Sequence, residues 1–319
     1  MSVCVVGKNK SAFMDACANA GGLGMKLTDS LDGAAGVIMV YDLIEGLTIE
    51  DETVLRQACT AGLRASIFVD KLDKAMETTD PEGVYQACRR GIDLVNVVLS
   101  TYSSASTGDL QVYPDFKGGV AFGSASQGWG FTVRHFAKMY AKKMGVQEKK
   151  MCGRLWGDNY FWAEKKMWVL KAEPEGVSPL PRAFCQFIMT PIFQLSQAIL
   201  TNNSRYEQML RAMNISLSTS DQGLSGQALL TRVMQSWMAN DHLSLLLVPI
   251  KERVMTSFSK FDKNGDGRIS CSELSALMQQ LDPSWSGGDL TKLMAQADDN
   301  GDGTLDPEEF VQFVFSPNR

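Results

Sequence analysis

Histidine is scarce in this chain, with two copies in 319 residues. Both His135 and His242 fall in segments that we predict to be helical, which disfavours a histidine-based catalytic triad or a zinc site. Long apolar runs are also lacking, since none reaches the roughly eighteen residues that a membrane-spanning helix requires. The apolar run at residues 3–6 is too short for a signal peptide. We therefore expect no membrane partner.

Paired cysteine motifs are absent as well, because the seven cysteines are scattered and include no CxxC pair. An odd number without framework spacing is typical of reduced thiols in a cytosolic protein. The formal net charge of −5 gives no reason for general attraction to nucleic acid or to an anionic membrane. We therefore expect a cytoplasmic location, and nucleic acid is not an indicated partner.

Short apolar runs bounded by Gly, Asp or Lys recur through the first part of the chain and alternate with segments of helical period. The runs that we predict to be strands are residues 3–6, 36–41, 65–69, 94–99 and 119–122. Strands that alternate with helices predict an α/β domain with a mainly parallel sheet. From Trp129 onward the chain favours longer helices, with predicted helical stretches at residues 131–144, 183–199, 205–213 and 227–238.

Two twelve-residue loops near the C-terminus carry the most specific chemical pattern. Each has oxygen-bearing side chains at loop positions 1, 3, 5 and 9, a glycine at position 6 and a glutamate at position 12. Ca²⁺ takes six to eight oxygen ligands, and this spacing makes them converge, with position 7 binding through its backbone carbonyl. The candidate ligands are Asp262, Asn264, Asp266, Arg268, Ser270 and Glu273 in loop 1, and Asp298, Asn300, Asp302, Thr304, Asp306 and Glu309 in loop 2.

The two loops are predicted to form a pair. Ile269 and Leu305 both stand at position 8, where paired loops join in a short two-stranded ladder. Apolar residues at helical spacing flank the loops, namely Val254, Phe258, Phe261, Leu274, Leu277, Met278, Leu281, Leu290, Leu293, Met294, Ala297, Phe310, Phe313 and Val314. From about residue 251 to 315 the segment resembles the calmodulin-type EF-hand family. The resemblance implies two Ca²⁺ sites and a target helix as partner, and the four acidic ligands of loop 2 predict that it fills before loop 1, which has three.

A second resemblance covers about residues 1–247. Residues 70–73, Asp-Lys-Leu-Asp, are similar to the NKxD guanine-reading motif, with Asp70 in place of asparagine. The similarity continues through residues 36–45, 52–58, 111–114, 120–124, 128–136, 154–158, 182–184 and 191–193. Together these runs resemble the G domain of eukaryotic elongation factor 2 with its insertion. The resemblance implies a degenerate α/β P-loop-GTPase-like domain with an α-rich insertion, followed here by the all-α EF-hand pair.

This resemblance also implies a set of nucleotide-binding positions, which are Lys10, Ser11, Asp70, Lys71, Asp73, Ser124 and Ala125. It places Asp73 against guanine N1 and N2, the stem of Lys71 on the base, and the backbone amides of Ser124 and Ala125 toward guanine. Asp70 is a departure, because a carboxylate only accepts hydrogen bonds where an asparagine amide also donates one. Loss of that bond would weaken base binding by about 1–3 kcal/mol.

The phosphate side departs further from the resemblance. A P-loop needs a glycine-rich arc followed by Gly-Lys-Ser/Thr, whereas Asn9 precedes Lys10 here and the loop is short. No switch I threonine region and no DxxGH motif occur. Positioning of Mg²⁺ and the γ-phosphate accounts for nearly all catalysis in phosphoryl transfer. We therefore expect no GTPase activity and neither GTP nor GDP as a cofactor.

These patterns divide the chain into a degenerate translational-GTPase-like α/β domain (1–126), an insertion domain (127–228), closing helices (229–250) and an EF-hand pair (251–319). The leading interpretation is a Ca²⁺-responsive interaction protein without enzymatic activity. One alternative is a GTP- or GDP-binding elongation factor-like protein regulated by Ca²⁺, and another is a module that binds a ribosome-associated protein. The short junction at Pro249 and Ile250 predicts that the EF-hand pair docks on the scaffold.

Overall fold

The structure of this protein is a computed structural model. The structure describes residues 2–19, 26–31, 34–103, 109–173, 179–213, 215, 217–218, 221, 223–238, 246–248, 250, 258–259, 262–281, 287–298, 301–306 and 309. Within those ranges, helices that combine the length and the apolarity needed to cross a membrane are absent.

A six-stranded sheet organises the N-terminal part, with strand order β2-β1-β3-β4-β5-β6. All neighbours are parallel except the final pair, β5 and β6. The strands are β1 (Ser2–Val6), β2 (Lys26–Thr28), β3 (Ala34–Asp42), β4 (Arg64–Asp70), β5 (Val120–Ser124) and β6 (Trp129–Phe131). The prediction of a mainly parallel α/β sheet is confirmed. Its register pairs Asp42 with Asp70, so two carboxylates end neighbouring strands at the same edge.

The first four helices connect these strands, and one of them corrects the prediction of a strand at residues 94–99. They are α1 (Lys10–Asn19), α2 (Ile49–Thr60), α3 (Leu72–Thr78) and α4 (Pro81–Thr101). Residues 94–99 lie inside α4, which starts with an Asp80 side-chain cap and a proline in its first turn. Leu94 and Val97 are exposed while Val95 and Leu99 are buried. The apolar run therefore spans two faces of one long helix.

The middle of the chain is mainly helical, as predicted, with one small hairpin. Its helices are α5 (Val133–Met144), α6 (Glu148–Leu155), a π-helical turn (Cys185–Met189) leading into α7 (Thr190–Leu200), α8 (Arg205–Ala212) and α9 (Gly226–Met238). The hairpin pairs β7 (Tyr160–Trp162) with β8 (Met167–Val169) in antiparallel register. Buried Arg182 connects this hairpin to α4 through ion pairs with Glu82 and Asp158.

Two apolar clusters cover the two faces of the sheet, as the alternation of side chains along a strand requires. On one face, alternate strand residues such as Met39 and Ile67 pack with α2, α4 and the middle helices. On the other face, residues such as Ile38 and Phe68 pack with α1. This second cluster also contains Leu246, Leu247, Ile250, Phe258, Ile269, Leu274, Met294, Ala297 and Leu305. The C-terminal segment thus shares a core with the sheet.

The contact between these parts centres on Ile250 and residue Gly36 of β3. Ile250 is fully buried, and a Cβ on Gly36 would lie 2.6 Å from its Cγ1 atom. Only a glycine leaves room for Ile250 at that point. The buried Ser66 hydroxyl of β4 donates a hydrogen bond to the carbonyl of Leu246. The segment that leads into the C-terminal loops is therefore fixed to the sheet by both packing and a hydrogen bond.

The described part of the C-terminal segment includes four short elements. They are β9 (Ile269–Ser270), α10 (Cys271–Leu281), α11 (Gly287–Ala297) and β10 (Thr304–Leu305). β9 and β10 pair in antiparallel fashion, with Ile269 opposite Leu305. This is the ladder predicted from the two apolar residues at position 8.

Candidate functional site

Loop 1 is wound around the side chain of its first residue. The Asp262 carboxylate accepts hydrogen bonds from the backbone amides of Gly265 at 2.7 Å, Asp266 at 3.1 Å and Gly267 at 2.8 Å. Gly265 and Gly267 have φ angles of 71° and 80°, which residues with a Cβ rarely adopt. The tight turn therefore needs both glycines as well as an acceptor at position 1.

Loop 2 repeats this turn. Asp298 accepts hydrogen bonds from the amides of Gly301 at 2.7 Å, Asp302 at 3.2 Å and Gly303 at 2.7 Å. Gly301 and Gly303 have φ angles of 72° and 83°. The predicted ligand Asn300 lies outside the described residues. The described residues of loop 2 thus repeat the backbone arrangement of loop 1.

Positions 9 and 12 form a reciprocal pair of hydrogen bonds in each loop. In loop 1, the Ser270 amide donates to the Glu273 carboxylate at 2.8 Å and the Glu273 amide donates to the Ser270 hydroxyl at 3.3 Å. Asp306 and Glu309 make the same exchange in loop 2, at 3.0 and 2.8 Å. This is the capping-box arrangement that begins a helix. Hydrogen bonds within the protein therefore hold the candidate ligands at positions 9 and 12 of each loop in place.

Two candidate ligands are strongly acidic. The Ser270 hydroxyl and amide bonds lower the pKa of Glu273 to about 2, and the amides of Lys263 and Asn264 act in the same direction. The Thr304 hydroxyl, followed by the Arg268 guanidinium, lowers the pKa of Asp302 to about 2. Both carboxylates are therefore ionised at neutral pH and remain so well below it. Carboxylates must be ionised to bind a hard cation.

The donor set of the loops is chemically suited to Ca²⁺, because every side-chain ligand position holds an oxygen. Among the described residues, His, Cys, Asp and Glu side chains by themselves form no group of three or more that could hold a metal. In loop 1 the Asp266 carboxylate accepts from the Asn264 amide group at 2.8 Å and from the Arg268 backbone at 2.9 Å. Metal binding would replace such bonds with coordination.

A family model for an EF-hand domain pair matches residues 251–315. The chain contains an EF-hand pair. The match covers both loops, the ladder and the flanking apolar residues, and it supports calcium binding by this segment. Described residues that form the apolar interior of the EF-hand pair are Phe258, Ile269, Leu274, Met294, Ala297 and Leu305. Predicted flanking positions outside the described residues or side chains are Val254, Phe261, Leu277, Met278, Leu281, Leu290, Phe310, Phe313 and Val314.

The second candidate site is the carboxyl edge of the sheet. Asp70, at the end of β4, is buried, and its carboxylate accepts a hydrogen bond from the Ala125 backbone amide at 2.7 Å. Lys71 has a left-handed backbone (φ 62°) and its Nζ lies 2.7 Å from the Asp42 carboxylate. Asp42 also accepts a hydrogen bond from the Asn9 side chain at 3.0 Å. Asp70, Lys71 and Ala125 thus come together, and their polar groups bond to one another or to Asn9, Asp42 and Glu45.

The remaining predicted nucleotide positions surround this edge. One Asp73 oxygen accepts from the Gln127 side chain at 2.9 Å, and the other is buried and has no hydrogen-bond partner among the described residues. The Ser124 side chain is buried, with its hydroxyl 3.2 Å from that of Ser126. Lys10 begins α1 and its Nζ lies 3.8 Å from the Asp29 carboxylate, while Ser11 is exposed. Lys10 and Ser11 therefore make no bond to the group around Asp70.

Four side chains at the two sites were not anticipated from the sequence: Arg268, Asn9, Asp42 and Gln127. For Arg268 only the backbone carbonyl was assigned, yet its side chain reaches loop 2. The bonds of Asn9 to Asp42 and of Gln127 to Asp73 join segments that are distant in sequence, so no local pattern predicts them. The glycines at loop position 4 did carry a signal, because Asn-Gly is a turn dipeptide that favours positive φ.

Replacement of Asp70 by asparagine should stabilise the protein at pH 7, by on the order of 1 kcal/mol. Burial raises the pKa of the Asp70 carboxyl, which outweighs the opposing Ala125 amide bond. A carboxyl whose pKa is higher in the folded state stabilises the protein when protonated, and that stability is lost as pH rises through the folded pKa. Asparagine keeps an acceptor for Ala125 without the buried charge. Urea unfolding at pH 7 and pH 4 measures the effect.

The advantage of Asp70→Asn should shrink toward pH 4, since the wild-type carboxyl then becomes protonated. Asp15→Asn is the matched control, because Asp15 is exposed on α1 and should change little at either pH. A loss of stability in Asp70→Asn at pH 7 would show that the ionised form of Asp70 is the one the fold requires.

Proposed function

We propose that this protein binds two Ca²⁺ ions through its EF-hand pair and acts as a Ca²⁺-responsive interaction protein of the cytoplasm, without enzymatic activity. The observation that carries the proposal is the repeated loop geometry within the segment that the EF-hand family model matches. In both loops an aspartate at position 1 holds three backbone amides and a capping box orders positions 9 and 12. Two loops with the same pattern of hydrogen bonds support two sites.

The residues that would hold Ca²⁺ are those assigned from the loop spacing. Side-chain oxygens at positions 1, 3, 5 and 9 supply four ligands, the carbonyls of Arg268 and Thr304 one each, and the glutamates at position 12 bind through both oxygens. Bound Ca²⁺ would supply charge neutralisation for the loop carboxylates. In sensor-type pairs this reorients the flanking helices and exposes apolar surface. A target helix or a ribosome-associated protein is the partner that we propose for that surface.

We infer that the remainder of the chain is a scaffold, divided at residues 126, 228 and 250, which resembles the G domain of elongation factor 2 but lacks GTPase activity. Only Gly7, Lys8 and Asn9 separate β1 from α1, so there is no long arc of amides to surround phosphates. The amide of Lys10 donates to the Gly7 carbonyl at 3.2 Å. The shared core around Ile250 supports transmission of a change in the EF-hand pair to this scaffold.

A second candidate function is guanine-nucleotide binding regulated by Ca²⁺. The observation in its favour is the buried Asp73 oxygen, for which the described part of the chain supplies no hydrogen-bond partner. The resemblance to elongation factor 2 implies that this position accepts hydrogen bonds from guanine. The hydrogen bond from the Ala125 amide to Asp70 opposes it, because the same resemblance assigns that amide to guanine.

Isothermal titration of the whole chain distinguishes these functions. We expect two Ca²⁺ sites with affinities on the order of 10⁻⁷ to 10⁻⁵ M, and no heat on addition of GDP. We also expect no GTP turnover above that of buffer. Failure to bind Ca²⁺ at millimolar concentration would overturn the proposal. GDP binding that is lost in Asp73→Ala, or GTP turnover that is lost in Lys10→Ala, would establish the second function instead.

A further inference from the structure

Arg268 connects the two loops through its side chain. It stands at position 7 of loop 1, where EF-hand spacing assigns only a backbone carbonyl. Its guanidinium forms an ion pair with the Asp302 carboxylate and donates a hydrogen bond to the Thr304 hydroxyl at 3.0 Å. Asp302 and Thr304 are positions 5 and 7 of loop 2. A fixed positive charge from one loop therefore bonds to a metal-ligand residue of the other.

The ladder between the loops explains why Arg268 reaches that far. β9 and β10 pair Ser270 with Thr304 and Ile269 with Leu305. This pairing brings Arg268, the residue just before β9, close to loop 2. The negative charges of Asp302, Asp306 and Glu309 all raise the pKa of Arg268, with the Asp302 hydrogen bond contributing most. The guanidinium therefore lies in the field of three of the four acidic ligands of loop 2.

We propose that Arg268 is an internal competitor of Ca²⁺ for loop 2. Its guanidinium holds Asp302 when no metal is bound, and it must leave Asp302 when loop 2 takes up the ion. This inference rests on the proposed binding of Ca²⁺ by loop 2. It also affects which loop binds Ca²⁺ first. Loop 2 is predicted to fill first because it has one more acidic ligand than loop 1, and the positive charge of Arg268 offsets that difference.

The size of the effect follows from two contributions. Breaking a half-exposed ion pair changes affinity only modestly, since exposed pairs stabilise by little. A guanidinium that remains near a divalent cation adds repulsion, which is only partly screened at short distance. Together these predict that Arg268→Gln binds Ca²⁺ at loop 2 about 3- to 10-fold more tightly than the wild-type chain. Glutamine removes the charge and keeps donors for the Thr304 hydroxyl.

The test is Ca²⁺ titration of the full-length chain in a Glu273→Gln background, which weakens loop 1 so that the measured heat reports loop 2. Arg268→Gln is compared with Lys263→Gln, which removes the same charge from an exposed position of loop 1. Lys263→Gln should change loop 2 affinity by less than about 2-fold. Arg268→Gln and Lys263→Gln are also compared in the chain with Glu273 intact. This comparison excludes an effect of the Glu273→Gln substitution on folding as the cause of the result.

A double-mutant cycle with Asp302→Asn assigns the effect to the ion pair. With asparagine at position 302, Arg268→Gln should change affinity no more than Lys263→Gln does. Equal effects of Arg268→Gln and Lys263→Gln in the Asp302 chain would overturn the competition and leave the proposed Ca²⁺ binding intact. If the wild-type chain binds no Ca²⁺, both the proposed function and this inference fail.

Discussion

Replacement of Glu309 by glutamine should weaken Ca²⁺ binding at loop 2 by about 100-fold or more. Glu309 stands at position 12, where one side chain provides two ligands and a full negative charge. Loss of a residue that only orients a ligand already weakens metal binding by about 10- to 100-fold, so loss of a bidentate ligand should reach at least the upper end. Isothermal titration should then show one site of wild-type affinity, at loop 1.

The neighbouring residue provides the control. Glu308→Gln makes the same change of charge at loop position 11, which supplies no ligand. It should retain two sites with at most a few-fold loss of affinity from the altered local charge. If Glu309→Gln titrates with two undiminished sites, the assignment of ligands in loop 2 is wrong. If both variants lose the site equally, the local charge rather than coordination governs binding.

Truncation of Ile250 to alanine should destabilise the protein by about 2–5 kcal/mol, the range for deletion of a buried aliphatic side chain. Ile250 is fully buried, packs against Gly36 and belongs to the apolar cluster that contains the EF-hand core. Alanine at position 250 would leave a cavity in that cluster. Because the core is shared, we expect the sheet and the EF-hand pair to unfold in one transition, with a lower midpoint. Urea unfolding followed by tryptophan fluorescence and by Ca²⁺ binding measures both parts.

Ile49→Ala is the matched control, since Ile49 is 85% exposed at the start of α2. It should change the unfolding free energy by less than about 0.5 kcal/mol. An Ile250→Ala variant as stable as Ile49→Ala would show that the contact with Gly36 does not contribute to the unfolding free energy. Two separate transitions in the wild-type chain would show that the halves fold independently despite their shared core.

The sheet could be predicted from the sequence because its strands are buried on both faces. Residues 36–41 and 65–69 form continuous apolar runs of strand length, bounded by turn residues. The same signal was misleading at residues 94–99, because a run of Leu and Val does not distinguish a buried strand from a helix that is apolar on more than one side. Tertiary packing makes this run part of a helix with one buried and one exposed side. Leu99 is buried in the core, whereas Val97 is 61% exposed.

The loops could be predicted in more detail than any other part, because the spacing of oxygen ligands is fixed by the size of the ion and not by distant contacts. What the spacing omits is where each side chain lies without metal. The bond of Arg268 to Asp302 depends on pairing of the loops, and that of Asp70 to Ala125 depends on the order of strands in the sheet. Such contacts follow only from the three-dimensional arrangement.

The capping boxes imply that release of calcium is not an unfolding event. Ser270 and Glu273 satisfy each other's backbone amides at the start of α10, and Asp306 and Glu309 do so in loop 2. In a zinc finger the metal-free chain is unfolded, so a chelator acts as a denaturant. Here a chelator would leave α10 with its first turn intact. Binding and release of Ca²⁺ at loop 1 would then require side chains to turn, which is faster than nucleation of a helix.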